Sequence, residues 1–272
     1  MLKCFFILFF AITVLSASAQ VTWYNDLRSA QAVALSKNQL IVMDFWAIWC
    51  GPCKAMDSQM WSLPEMERLS EKFVSLKIDV DQDRATAQQY QARSIPKVVI
   101  ANAAGEVIYE QVGYGGPEPY LSLLQAMPEN VSTLNEALLP LLNKKAVGED
   151  YLHLGQEYQK LARQTSNDLL KYAFLDMSDQ SLKKVVRKSE NESLVEAANL
   201  HSILNEAYRN KPERAMKKLT RLEEESQHDE VLELKRFITA YCYKCIGNDA
   251  KLAEEKKQIS NQAYLKQLDE NE

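Results

Sequence analysis

Between residue 20 and residue 127 the hydrophobic positions alternate between two spacings. "LIVMDFWA" (Leu40–Ala47) is a short apolar run rich in β-branched residues, which predicts a buried strand. Lys54–Phe73 shows helical spacing with a break near Ser62-Leu63-Pro64. "FVSLKIDVD" (Phe73–Asp81) predicts a second strand, and "DRATAQQYQ" (Asp83–Gln91) a helix. "KVVIAN" (Lys97–Asn102) and "EVIYEQVG" (Glu106–Gly113) read as two strands around a hairpin at Ala103-Ala104-Gly105. Pro117–Met127 reads as a closing helix with a proline near its start.

Past Pro128 the pattern changes. Strand-like alternation stops, Gly becomes scarce, and Leu, Ala, Glu and Lys dominate. Segments 130–145, 149–164, 192–210, 212–226 and 229–247 carry apolar residues at three- and four-residue intervals between short polar breaks. Residues 129–272 are therefore expected to form an all-helical domain. Stacked helix pairs of the tetratricopeptide kind are one arrangement that fits, although no strict repeat period is present.

The N-terminus carries a third pattern. Lys3 precedes an apolar run from Cys4 to Leu15, and Ala17-Ser18-Ala19 supplies small residues for cleavage. Residues 1–19 thus read as a cleaved export signal, the apolar run being too short for a comfortable membrane span. No other segment is long and apolar enough to cross a bilayer, so no stable membrane insertion is expected after cleavage. The domains expected are residues 1–19 as signal, 20–128 as the mixed domain and 129–272 as the helical domain. A length of 272 residues suits two domains.

A hydrophobic content of 46% and a charged content of 25% permit a packed core. The net charge of -5 leaves no basic surplus to neutralise phosphates, so no nucleic-acid partner is expected. The basic run Lys183–Lys188 reads as a solvated helix face. His153, His201 and His228 have no ligand or dyad spacing. Asn130 and Asn191 head Asn-x-Ser triplets that would matter only in a eukaryotic secreted protein.

Of the five cysteines, loss of the signal leaves Cys50, Cys53, Cys242 and Cys245, two C-x-x-C pairs. "WCGPCK" (Trp49–Lys54) follows the first predicted strand and opens a helix. That places Cys50 at a helix N-terminus, where unpaired N–H groups and the helix dipole favour a thiolate. Gly51 and Pro52 let the chain turn into the helix without wasting a donor. Cys53, one turn on, can resolve a mixed disulfide. Zinc would need two more ligands and no Cys or His lies nearby, so neither a metal nor another cofactor is expected. The second pair, in "AYCYKCIG" (Ala240–Gly247), admits three readings: core packing, a static local disulfide, or a redox relay with Cys50–Cys53.

With these residues in place, Val21–Met127 closely resembles the thioredoxin family. The carriers are "VMDFWAIWCGPCK", "SIPKVVI" and "AGEVIYEQVG". The resemblance implies a thioredoxin fold, a central mixed sheet flanked by helices, ahead of the all-α domain. It implies a cis bond at Ile95-Pro96 facing the cysteines. Asp44 would be a buried carboxylate accepting the Cys53 proton, with Lys77 beside it. Trp49 would shield the pair, while Ile95, Pro96 and Gly113, together with Gly51 and Pro52, would border the substrate. The family usually has a proline within the active-site helix; here the helix is longer and Pro64 follows a break. That resembles the exported branch that includes the reducing domain of a membrane thiol:disulfide interchange transporter.

The expected activity is reduction of protein disulfides in the periplasm, with secretion as the alternative. Disulfide-bearing proteins and a membrane electron donor are the expected partners, and the helical domain would select partners or dimerise. The alternatives are a net disulfide oxidase or isomerase, and a binding module whose helical domain recruits a partner while the first domain serves as scaffold.

Overall fold

The computed structural model describes residues 21–222 and 226–270. The expected export signal, residues 1–19, lies outside the described residues. Four strands, β1 (Leu40–Trp46), β2 (Phe73–Asp79), β3 (Lys97–Ala101) and β4 (Val107–Val112), form one sheet in the order β2-β1-β3-β4. β1 and β2 are parallel, which requires a crossover; β3 runs antiparallel to both β1 and β4. The crossover is helical: α2 (Gly51–Met56), a π turn (Asp57–Trp61) and α3 (Pro64–Ser70). Before the sheet lies α1 (Leu27–Lys37); α4 (Arg84–Gln89) joins β2 to β3, and α5 (Glu118–Gln125) follows β4. The hairpin turns at Gly105, whose φ of +81° suits glycine.

Both faces of the sheet are covered, so β1 reads as an unbroken apolar run. Leu40 and Val42 point to one side with Phe73, Val98 and Ile100. Ile41, Met43 and Phe45 point to the other with Val74, Leu76 and Val99. α1 covers this second face through Ala30 and Ala34. Small buried alanines give a weak periodic signal, which is why no element was expected over Leu27–Lys37.

The first face belongs to a core that continues across residue 128. It takes in Tyr120, Leu123 and Leu124 of α5, then Leu134 and Leu138 of α6 (Ser132–Leu142), and Leu154 and Tyr158 of α7 (Gly148–Gln164). The remaining helices are α8 (Asp168–Lys188), α9 (Glu192–Tyr208), α10 (Pro212–Leu219), α11 (Asp229–Cys245), α12 (Asp249–Lys256) and α13 (Gln262–Asp269). α8 packs against α7, α9 and β4. It buries Ser178 and Ser181 among apolar residues, which blurs the apolar stripe that would have revealed it. Among the described residues, no helix is long and apolar enough to cross a membrane.

The helical region grips the sheet where β1 begins and β3 ends. Val131 N–H donates to Asn38 O (2.8 Å), and Asn135 Nδ2 to Ala34 O (3.1 Å). Asn102, fully buried just after β3, is the polar pin. Its Oδ1 accepts from the N–H groups of Ala104 and Glu106 (3.0 Å each). Its Nδ2 donates to Tyr158 Oη (2.8 Å) and Glu106 Oε2 (2.9 Å). At strand rise, Asn102 lies roughly 20 Å from Pro96 at the other end of β3. The helical region is therefore anchored at the pole remote from Cys50.

Replacing Asn102 by Ala strands two part-buried N–H groups and weakens the attachment. The expected loss is roughly 2–4 kcal/mol in urea denaturation, against about 1 kcal/mol for Tyr158→Phe, which leaves Asn102 its other partners.

Candidate functional site

β1 delivers the chain through Ala47, Ile48 and Trp49 to Cys50, which caps α2. Cys50 and Cys53 are joined as a disulfide, S–S 2.02 Å with Cα atoms 5.3 Å apart. The Cys53 N–H donates to Cys50 Sγ at 3.2 Å. A helix-terminal amide aimed at the sulfur favours negative charge there once the bond is reduced. Space beside Gly51 is open, with no atom within 4 Å of where a Cβ would stand. The sulfurs pack with Ala47 against Trp46, Val80 and Ile95. Around them the surface is apolar: Ile48 is 69% and Trp49 66% exposed. Trp49 is held by its Nε1–H, which donates to Asp81 Oδ2 (2.7 Å).

Ile95-Pro96 is a cis peptide, and Ile95 touches the cysteine cluster. Pro96 O accepts from Gly113 N–H (2.8 Å), tying the start of β3 to the end of β4. Gly113 has φ +88° and open space around it. Its carbonyl accepts from Tyr120 Oη. Cys50, Cys53, Ile95, Pro96 and Gly113 are thus assembled from three separate parts of the chain.

Asp44 sits mid-strand, two residues from Val42 on the same face, and is buried. The parallel register pairs Asp44 with Lys77 on β2, and Lys77 Nζ lies 3.6 Å from Asp44 Oδ2. Lys77 is sandwiched between the Trp23 and Trp46 rings, at 5.3 and 5.0 Å from their centroids. It makes a closer ion pair with Asp57, in the π turn. Burial pushes the Asp44 carboxyl up to about 7; the Lys77 cation opposes this and the Asp57 charge adds to it. Asp57 was not foreseen from sequence. It stands four residues after Cys53, on the same helical face, but its importance depends on where Lys77 points.

The second cysteine pair is split by burial. Cys242 is fully buried, Cys245 is exposed, and they form no disulfide with each other. Burial, with Cys245 nearby, pushes the Cys242 thiol up to about 12, which suits a core residue. His201 is buried in the helical core, where Nδ1 meets Gln159 Oε1 and Nε2 meets Gln156 Nε2 (2.9 Å each). Burial lowers its pKa to about 4. His153 and His228 are exposed.

Known proteins match this arrangement. The family model described as Thioredoxin covers residues 24–127. The chain is 42% identical over 81 residues to Thioredoxin-1 of Drosophila melanogaster, spanning 30% of this chain and 72% of that protein. It is 35% identical over 85 residues to Thioredoxin of Bacillus subtilis, spanning 31% of this chain and 79% of that protein. The solution structure of a thioredoxin from Thermus thermophilus is 25% identical and covers 40% of this chain and 85% of its own, with a TM-score of 0.35.

Asp44 carries a stability consequence. Its folded pKa, about 7, lies above its ordinary value of 3.8. Between those values the folded state holds a proton that the unfolded state lacks, so this contribution to stability falls as pH rises from about 4 to about 7. Asp44→Asn is expected to be more stable than the parent at pH 8, by on the order of 3 kcal/mol. The difference should vanish below pH 4. Paired urea titrations at the two pH values check this; equal stability at pH 8 would contradict a raised Asp44.

Proposed function

Because this chain belongs to the thioredoxin family, as a thiol:disulfide oxidoreductase with a Cys50–Cys53 redox pair, we propose that it is exported and reduces protein disulfides. Cys50 thiolate attacks one sulfur of a substrate disulfide, and the other leaves as a thiolate. The substrate chain lies extended across Trp49, Ile95, Pro96 and Gly113, taking backbone hydrogen bonds beside Pro96. Cys53 then passes its proton to Asp44 and attacks Cys50, releasing the second substrate thiolate and leaving Cys50–Cys53 oxidised.

The observation that carries this reading is the raised, buried Asp44 on the sheet face covered by Met56 and Met60, in the helical segment that carries Cys53. Formation of the Cys50–Cys53 bond requires a base for Cys53, and a carboxyl near neutrality is suited to that step. Gly51 and Pro52 add no side-chain donor that would stabilise the Cys50 thiolate further and turn the pair into a strong oxidant. In an oxidising compartment the reaction runs only if electrons reach Cys50–Cys53, so a membrane electron donor belongs to the proposal. The helical region, anchored away from the cysteines, leaves their face open to partners and is assigned partner choice or self-association.

The deciding measurement is the reduction potential of Cys50–Cys53 against glutathione, with Cys242 and Cys245 replaced by Ser. A value near that of thioredoxin, about -270 mV, is expected; one near about -120 mV would make the protein an oxidase. Cys50→Ser should abolish reduction of insulin disulfides. If Cys50→Ser kept full biological activity while helical-region variants lost it, the binding-module reading would replace this one.

A further inference from the structure

The active-site helix leaves α geometry just after Cys53. Asp57–Trp61 is a single π turn, in which Asp57 O accepts from Ser62 N–H five residues on (3.0 Å). Such a turn inserts an extra residue into a helix and shifts which side chains share a face. Here its first and last residues both bear on Asp44. The Asp57 carboxylate takes the closer hold on Lys77, whose Nζ is 3.6 Å from Asp44 Oδ2. The Trp61 indole is buried beside Asp44, and its N–H has no acceptor at hydrogen-bond geometry. Asp44 Oδ1 is likewise buried without a donor. A buried donor and a buried acceptor thus both lack a full hydrogen bond, and the indole already favours the ionised form of the carboxyl.

We propose that the π turn sets the proton affinity of Asp44: Asp57 is a positioning residue that draws Lys77 toward itself, and the Trp61 N–H is the donor that engages Asp44 once it ionises. This rests on the reading of Asp44 as the acceptor of the Cys53 proton. The charge count gives the reason. With Asp44 protonated, Lys77 and Asp57 sum to zero. With Asp44 ionised, the same three side chains carry one net negative charge, which a low-dielectric interior disfavours. Without Asp57, Lys77 would serve Asp44 alone, and the carboxyl would be a weaker base at neutral pH.

The other groups around Asp44 fit this division. Tyr120 approaches from α5, and the Asp44 charge helps hold its phenol protonated. Lys97 on the adjacent β3 is committed to Tyr90 O and Glu110. The Cys50–Cys53 disulfide is uncharged. In the step concerned, the Cys53 S–H proton moves to Asp44, and the thiolate electron pair forms the Sγ–Sγ bond to Cys50. The bond from Cys50 to the substrate sulfur breaks, and its electron pair leaves on the substrate thiolate. The dithiol is oxidised, the substrate disulfide is reduced, and Asp44 releases its proton to solvent.

The test is a carboxyl 13C NMR titration of the full oxidised chain, with the Asp44 signal identified by its loss in Asp44→Asn. Asp57→Asn should lower the Asp44 midpoint by about one pH unit, since a negative charge is removed and a cation released. Trp61→Phe should raise it, and Asp57→Glu should titrate like the parent. The pH profile of insulin reduction should move in the same direction as each midpoint. If Asp57→Asn and the parent titrate together, or if Asp57→Asn and Trp61→Phe move the same way, the inference is wrong, and a rate loss in Asp44→Asn would still uphold the proposed function. If the midpoints move while the rate profiles stay, Asp44 is not the acceptor of the Cys53 proton: that step of the proposed function falls, while the control of Asp44 by the π turn stands.

Discussion

A carboxyl group held in the middle of a buried strand needs a cation or a proton, because the interior offers it no water. Asp44 imposes that requirement here, and much of the neighbouring structure answers it. The parallel register of β1 and β2 sets Lys77 beside it. Two tryptophan rings hold the ammonium in place, and Asp57 takes part of its charge. Desolvation outweighs the single shared cation, so the group rests near neutrality. The same balance makes Asp44 a burden on stability and underlies its proposed role as base for Cys53.

The cysteines depend on a different constraint, the geometry of a helix start. Cys50 accepts an amide hydrogen bond because α2 begins there. Ile95 and Gly113 come close only because β3 pairs with both β1 and β4. The site thus joins a local device, legible in six residues, to a tertiary one made by strand pairing. At the far end of the same strands the helical region shares the core and is pinned through Asn102 and Tyr158. One sheet therefore carries chemistry at one pole and an attachment surface at the other.

The strands were legible because each is a dense apolar run bounded by turn residues; all four lie within a residue or two of their expected spans. α1 and all of α8 before its basic end at Lys183–Lys188 were not, since their buried positions are partly small or polar and leave no clear stripe. Cys242 and Cys245 look alike in sequence, yet one helical turn separates a core position from the surface.

By itself, the sequence determined the alternating strand–helix order, the helical second half, and the placing of Cys50 at a helix start. These follow from spacing between near neighbours. Only the tertiary structure decided that Asp57 competes for Lys77, that the Trp61 N–H and Asp44 Oδ1 are both buried without a full hydrogen bond, and that Tyr158 reaches Asn102 across 56 residues. Such contacts depend on register and crossover packing, which bring together residues whose spacing along the chain carries no trace of the meeting.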